Sequence, residues 1–263
     1  MRIDVDARCD IGCVRTNNED LILAGGRLLR DAGMSERLDA AQHQGHLLLA
    51  VADGMGGAAA GELASEIALT QLRDLMQAAP EDLDGEQLAG VLPMWAHRTH
   101  AALLARGQAE LALAGMGTTV VGLLLRDGRA WRFHAGDSRL YRRRAGQVER
   151  LTQDHSLRQQ AGNQALPANL LVNALGGGAD SHLELAEIEG GVQPFDRFLL
   201  CSDGLTEMVD DAAIAQALDG DRETAVQTLV QLARQAGGLD NISVLVADIP
   251  RPAPSELQPF ARP

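Results

Sequence analysis

The 263-residue chain is 46% hydrophobic and 22% charged, a balance that buries one sizeable core or two small ones. Only 3% of it is aromatic and its formal net charge is −13, which excludes the basic, aromatic-interleaved surface that grips nucleic acid. No apolar run approaches the roughly 20 residues of a membrane span, MRIDVDARCD carries acids where a secretory leader is apolar, and Cys9, Cys13 and Cys201 show no CxxC spacing, so a cytoplasmic monomer with reduced thiols is expected.

In chain order, RTNNED (15–20) runs into the apolar Leu21-Ile22-Leu23. A loop over 27–45, carrying His43 with His46 just beyond it, separates this strand from a second apolar run at 47–51, which delivers Asp53 into the glycine-rich turn of VADGMGG. Over 58–79, Leu63, Ile67, Leu72, Leu75 and Met76 recur at helical spacing. After a break at 80–85, Leu88, Val91, Leu92, Trp95, Thr99, Ala102 and Leu103 form the stripe of a second helix, packed antiparallel on the first.

From Thr118 the period shortens. TTVVGLLL, AWRFHAG and RLYRRRAGQVERL read as one β-meander, with the arginines between Arg139 and Arg144 on a solvated hairpin. Residues 155–176 are polar and irregular. HLELAEIE and RFLLCSDG then read as strands, 210–218 and 222–235 as helices, and NISVLVADI as the last strand. Such an order is neither a βαβ alternation nor all-β, and it fits two antiparallel sheets with helix pairs on their outer faces. Residues 1–249 form one domain on this reading, and 250–263, with five of the nine prolines and no apolar period, a disordered tail.

Several carboxylates stand at strand ends: Glu19 and Asp20 before one, Asp53 and Asp203 after two others, Asp154 after a meander strand, and Asp240 before the last. Each alone is a common turn acid. If the ends converge, however, such like charges are tolerated mainly when cations neutralise them, and an all-oxygen ligand set suits Mg²⁺ or Mn²⁺. The seven histidines include no HExxH and no zinc-spaced set, so most read as surface or satisfied polar groups, His155 beside Asp154 least securely.

VRTNNED, VADGMGG, GTT, HAGDSRLYR, LTQDHS, NALG, LLCSDGL and GGLDNIS, in this order and over nearly the whole chain, resemble the metal-dependent type-2C protein serine/threonine phosphatases, bacterial branch. That resemblance implies an αββα sandwich with a binuclear Mn²⁺ or Mg²⁺ centre. Asp53 would bridge both ions, Gly54 would offer its carbonyl, Glu19 would hold one metal, and Asp203 and Asp240 the other. Asp154, with Asp203, would form a third, weaker site, while Asp20 and Asn241 orient waters and ligands. Asp10 is either a further water-orienting group or a turn acid.

Arg15 matches the arginine that binds the phosphate, and Asp137 and Arg139 are structural or orienting groups. The implied reaction is hydrolysis of phosphoserine or phosphothreonine by a metal-bridging hydroxide, opposing a Ser/Thr kinase, with Cys201 a packing residue and no covalent intermediate. Met55 stands where some relatives carry a histidine, and the flap at 156–172 is short. The alternatives are a catalytically inactive phosphoprotein-binding module and, disfavoured by the charge, a two-metal nuclease.

Overall fold

The apolar run at 47–51 is buried on both faces, and the layers follow from its period of two. In the computed structural model, which describes residues 1–251 except 164 and 168, the elements are β1 (Arg2–Asp10), β2 (Asp20–Ala24), β3 (Arg27–Leu29), β4 (Gly33–Asp39), β5 (His46–Met55), α1 (Ala58–Gln77), α2 (Gly85–Gly90), α3 (Leu92–Ala109), β6 (Gly117–Thr118), β7 (Val120–Arg126), β8 (Arg129–Ala135), β9 (Arg139–Arg144), β10 (Gln147–Arg150), α4 (Leu157–Ala161), β11 (Glu184–Glu187), β12 (Arg197–Cys201), α5 (Asp203–Thr206), α6 (Asp211–Ala217), α7 (Arg222–Gln235) and β13 (Ile242–Asp248). Of the expected tail, 252–263 lie outside the described residues.

On β5, Leu47, Leu49 and Val51 point between two sheets and join Ile3, Val5, Phe198, Leu200 and Leu245 in the central core. Leu48, Ala50 and Ala52 point the other way, onto Ala64, Leu69 and Leu72 of α1. Each fully buried Leu or Val contributes about 1.5–3 kcal/mol, so the strand is fixed from both sides. One sheet has the order β10-β9-β12-β13-β1-β4; the other runs β11-β8-β7-β5-β2-β3, with the short β6 on β5, and every pairing is antiparallel. Helices α1–α3 cover the second sheet; α5–α7 cover the first through Leu205, Ile214, Leu229 and Ala233. This is the αββα sandwich.

Four local expectations are corrected. The stripe at 88–103 is two helices, because Pro93 fits only the first turn of a helix: α2, with an Asp84–Gln87 capping box, ends at Gly90, and α3 restarts at Leu92. The segment at 27–45 is not one loop, for β3 pairs with β2 and β4 with β1, so it crosses from one sheet to the other. The meander is likewise divided: β7 and β8 pair in one sheet, whereas β9 and β10 pair in the other. Its arginines are not solvated either; Arg139, Arg142, Arg143 and Arg144 pair with Asp154, Glu149, Asp219 and Asp196.

Candidate metal centre

The register of β2 on β5 sets Asp20 directly opposite Asp53, just beyond the inward-facing pair Ile22 and Val51. Both carboxylates therefore continue the apolar stripe that lines the space between the sheets, at the rim where it opens. Like charges placed opposite each other oppose pairing, so something must compensate them. The facing sheet brings Asp203 at the end of β12 and Asp240 at the start of β13 to the same rim. A cavity of about 650 Å³ opens there, lined by Arg15, Glu19, Asp53, Gly54, Asp137, Asp203 and Asp240.

Hydrogen bonds fix this cluster from behind. The Ser202 hydroxyl donates to Asp20 Oδ2 at 2.7 Å and accepts from Ser243 N at 3.0 Å, which ties the two sheets together under the site. Asn241 accepts from Glu19 N at 2.8 Å and donates to the carbonyls of Ile11 and Asn17 at 3.0 Å each, so one amide orients the whole Glu19 loop. Thr119 Oγ1 accepts from Asp53 N at 3.2 Å, and Thr119 N and the Thr118 hydroxyl donate to Asp53 O at 2.8 and 2.9 Å.

Two glycines permit the close approach. A Cβ on Gly54 would lie 2.0 Å from Gly61 O, and one on Gly204 would lie 2.0 Å from Asn241 O. Any larger residue at either Asp-Gly step would push the strand end off its neighbour.

Arg15 pairs with Asp240, but the electrostatics leave Asp20, Asp53, Asp137 and Asp203 without an arginine partner among the described residues. Burial, then repulsion from Asp20, Asp203 and Asp137, raises the Asp53 carboxyl well above the ordinary range. Asp20 is pushed up to about 7, chiefly by burial and then by Asp203 and Asp240, against the pull of the Ser202 and Ser243 hydroxyls. Asp203 rises to about 6 for the same leading reason, with Glu207 and Asp240 adding repulsion. Asp20 Oδ1 and Asp203 Oδ1 are buried with no hydrogen-bond partner. Carboxylates gathered at one cavity, with Asp203 Oδ1 unpartnered there and no histidine or cysteine lining it, fit hard divalent cations.

The expected site residues are not all brought together. Arg15 is at the cavity, its Nη2 2.6 Å from Asp240 Oδ2. Asp154 is not: both its oxygens take Arg139 at 2.9 and 2.7 Å, and it lines a different hollow with Arg150 and Arg158. Asp137 stands beside Asp203 instead, its carboxyl raised well above the usual range by burial and then by Asp203 and Asp154. The reason is the crossing between sheets at 136–138, which carries Asp137 to the rim. Asp10 is the turn acid of its two readings; it accepts from Gly12 N at 3.0 Å and from Arg234. The sequence reading assigned no role to Thr118, Thr119 or Ser202, although GTT and the Ser before Asp203-Gly204 were visible signals.

A second group, His134, His155 and Glu184, has ligating atoms within 4.8 Å of one another. Its geometry argues against an ion. The two rings stack at 4.3 Å with 16° between planes, so their in-plane lone pairs do not converge on one point. His155 Nδ1 accepts from Gly136 N and Asn173 Nδ2, at 3.2 and 2.9 Å, which leaves its Nε2 protonated and facing Glu184. His134 is fully buried with its Nε2 3.0 Å from Gln153 O, and burial lowers it to about 4. A larger groove, about 830 Å³, lies between α7 and the β1–β4 edge, but its acid Asp6 is already paired with Arg222.

Residues 26–237 match the family described as protein phosphatase 2C. The chain belongs to the protein phosphatase 2C family. It is 34% identical over 255 residues to the serine/threonine protein phosphatase PstP of Mycobacterium tuberculosis, covering 92% of this chain and 44% of PstP. The chain thus spans less than half the length of that relative. It is 31% identical to the serine/threonine phosphatase stp of Listeria innocua, covering 92% of this chain and 94% of that one.

Among solved structures, the S. agalactiae serine/threonine phosphatase superposes with a TM-score of 0.80 at 28% identity, covering 94% of this chain and 99% of that chain. The catalytic domain of PstP, solved with two manganese ions, superposes with a TM-score of 0.76 at 34% identity, covering 95% of this chain and all of that one. Among the described residues, no helix of this phosphatase 2C chain is long and apolar enough to cross a membrane.

Proposed function

We propose that the chain is a metal-dependent protein serine/threonine phosphatase acting on phosphoserine and phosphothreonine in proteins, opposite a Ser/Thr kinase. The observation that carries this reading is the set of carboxylates, Glu19, Asp53, Asp203 and Asp240, lining one cavity with a single arginine at hand, Asp203 Oδ1 being buried there without a partner. Glu19, Asp53, Asp203, Asp240 and the Gly54 carbonyl would hold two Mn²⁺ or Mg²⁺ ions, Asp53 between them. Asp137 with Asp203, in place of Asp154, would offer any third position. When bound, a cation pair supplies a water acidified toward neutrality and a clamp for attacking and leaving oxygens.

The chain's own groups do the rest. Arg15, half exposed and free to swing from Asp240, presents a fork of N–H donors to the phosphate oxygens. Asp20, held by Ser202, and Glu19, held through Asn241, keep their orientation while substrate enters. The chain is proposed to act as a monomer, and its three free thiols support a cytoplasmic setting.

The test is phosphate release from a phosphothreonine peptide. Turnover abolished by chelator and restored by Mn²⁺ or Mg²⁺, with no cleavage of DNA, supports the proposal; chelator-resistant turnover, or none under any metal, contradicts it.

A further inference from the structure

We infer that the mouth of this cavity selects phosphopeptides with an apolar side chain next to the phosphorylated residue, through a rim formed by Val14 and Leu170; this rests on the phosphatase reading above. Both side chains line the cavity, yet they remain 60% and 46% exposed to solvent, Val14 on the loop after β1 and Leu170 on the segment after α4. Met55, Leu171 and Ala174 line the same cavity, with Asn169 and Asn173 among them, and Leu239, next to Asp240 in the chain, is 56% exposed. The cavity therefore offers apolar side chains as well as carboxylates.

Val14, Leu170 and Arg15 line one cavity, so a phosphate taken by Arg15 places the flanking substrate residues, each about 3.8 Å from the next along the peptide, within reach of the two apolar side chains. The rim is built before substrate arrives. On one side Cys13 N donates to Gly238 O at 2.8 Å; on the other, Leu157 N donates to Leu170 O at 2.7 Å and Val172 N to His155 O at 2.9 Å. An anchored apolar rim loses little freedom on binding, which is what lets a small contact discriminate. An acidic neighbour, in contrast, would meet the carboxylates of the cavity and a chain of net charge −13.

The experiment compares three phosphothreonine peptides of equal length with Leu, Gly or Asp at both flanking positions, using the Mn²⁺-loaded full chain. The expected order of kcat/KM is Leu over Gly over Asp, with Leu about tenfold above Gly, the scale for one apolar side chain in a pocket. In the Val14→Ser, Leu170→Ser double variant the Leu-to-Gly ratio should fall to about two or below. Equal rates for Leu and Gly in the unaltered chain, or an unchanged ratio in the variant, overturn the inference. Failure of the phosphatase reading looks different: no phosphate leaves any of the three peptides.

Discussion

Strand β12 carries an aspartate just beyond each end, and the two are treated in opposite ways. Asp196, before the strand, is 1% exposed, and both its oxygens take Arg144 at 2.7 and 2.6 Å while Gln193 N donates to it at 2.8 Å. Asp203, after the strand, is half-buried with its Oδ1 enclosed; it shares a cavity with Asp53, Asp137 and Asp240 and keeps that oxygen without a partner. Where a buried carboxylate serves the fold, this chain gives it an arginine; where carboxylates gather at the other rim, only Asp240 among the described residues has one, Arg15. Burial alone therefore does not mark a site. The marker is burial without a compensating cation.

The contrast is broken most severely at the bridge. Asp53→Asn should lower Mn²⁺-dependent kcat/KM on a phosphothreonine peptide by about 10³-fold or more while the fold survives, as checked by circular dichroism. At the paired end the effect moves from rate to stability. Asp196→Asn leaves Arg144 without its partner and should cost about 3 kcal/mol, lowering the melting midpoint by about 6–12 °C, with Mn²⁺ affinity retained. An Asp196 variant that melts normally but loses metal would reverse the two roles.

Asn241→Ala removes three hydrogen bonds behind Glu19 and should weaken Mn²⁺ binding about 10–100-fold, measured by calorimetry. The smallest effect is on the metal-free protein. Asp20 and Asp203 titrate near 7 and 6 when folded, above the 3.8 of a free carboxyl, so the folded state holds more protons in between. In chelator the unaltered chain should accordingly gain stability over an Asp203→Asn variant as pH falls from about 6 toward 4, by about 1 kcal/mol or more, while His134, lowered to about 4 in both proteins, pulls the other way below 6.5. Excess Mn²⁺ should reverse that slope, because protons then compete with the ion; thermal melts across the range check both signs.

Much of this was legible in the amino-acid sequence because it depends on local pattern. The apolar runs at 47–51 and 198–201 are buried throughout, and of the helical stripe at 63–76 Leu72 and Met76 are buried while Leu63, Ile67 and Leu75 pack half-buried against the same core. Asp-Gly steps after apolar strands pointed to Asp53 and Asp203. What escaped depends on pairing between distant segments. Nothing local says that β8 and β9 belong to different sheets, so Asp137 at their crossing looked structural and Asp154, at the end of a strand-like run, looked like a ligand. The same crossing hid β3 and β4 inside a segment that reads as loop. Arg139 takes both oxygens of Asp154, a partner fifteen residues away that sequence spacing alone does not reveal.

The most direct measurement is a calorimetric titration of Mn²⁺ into the chelator-stripped protein, run beside Asp203→Asn. About two equivalents should bind saturably to the unaltered chain, with the second lost or weakened at least about tenfold in the variant. No saturable binding, or identical isotherms for both proteins, would contradict the view that these unpaired acids exist to hold metal.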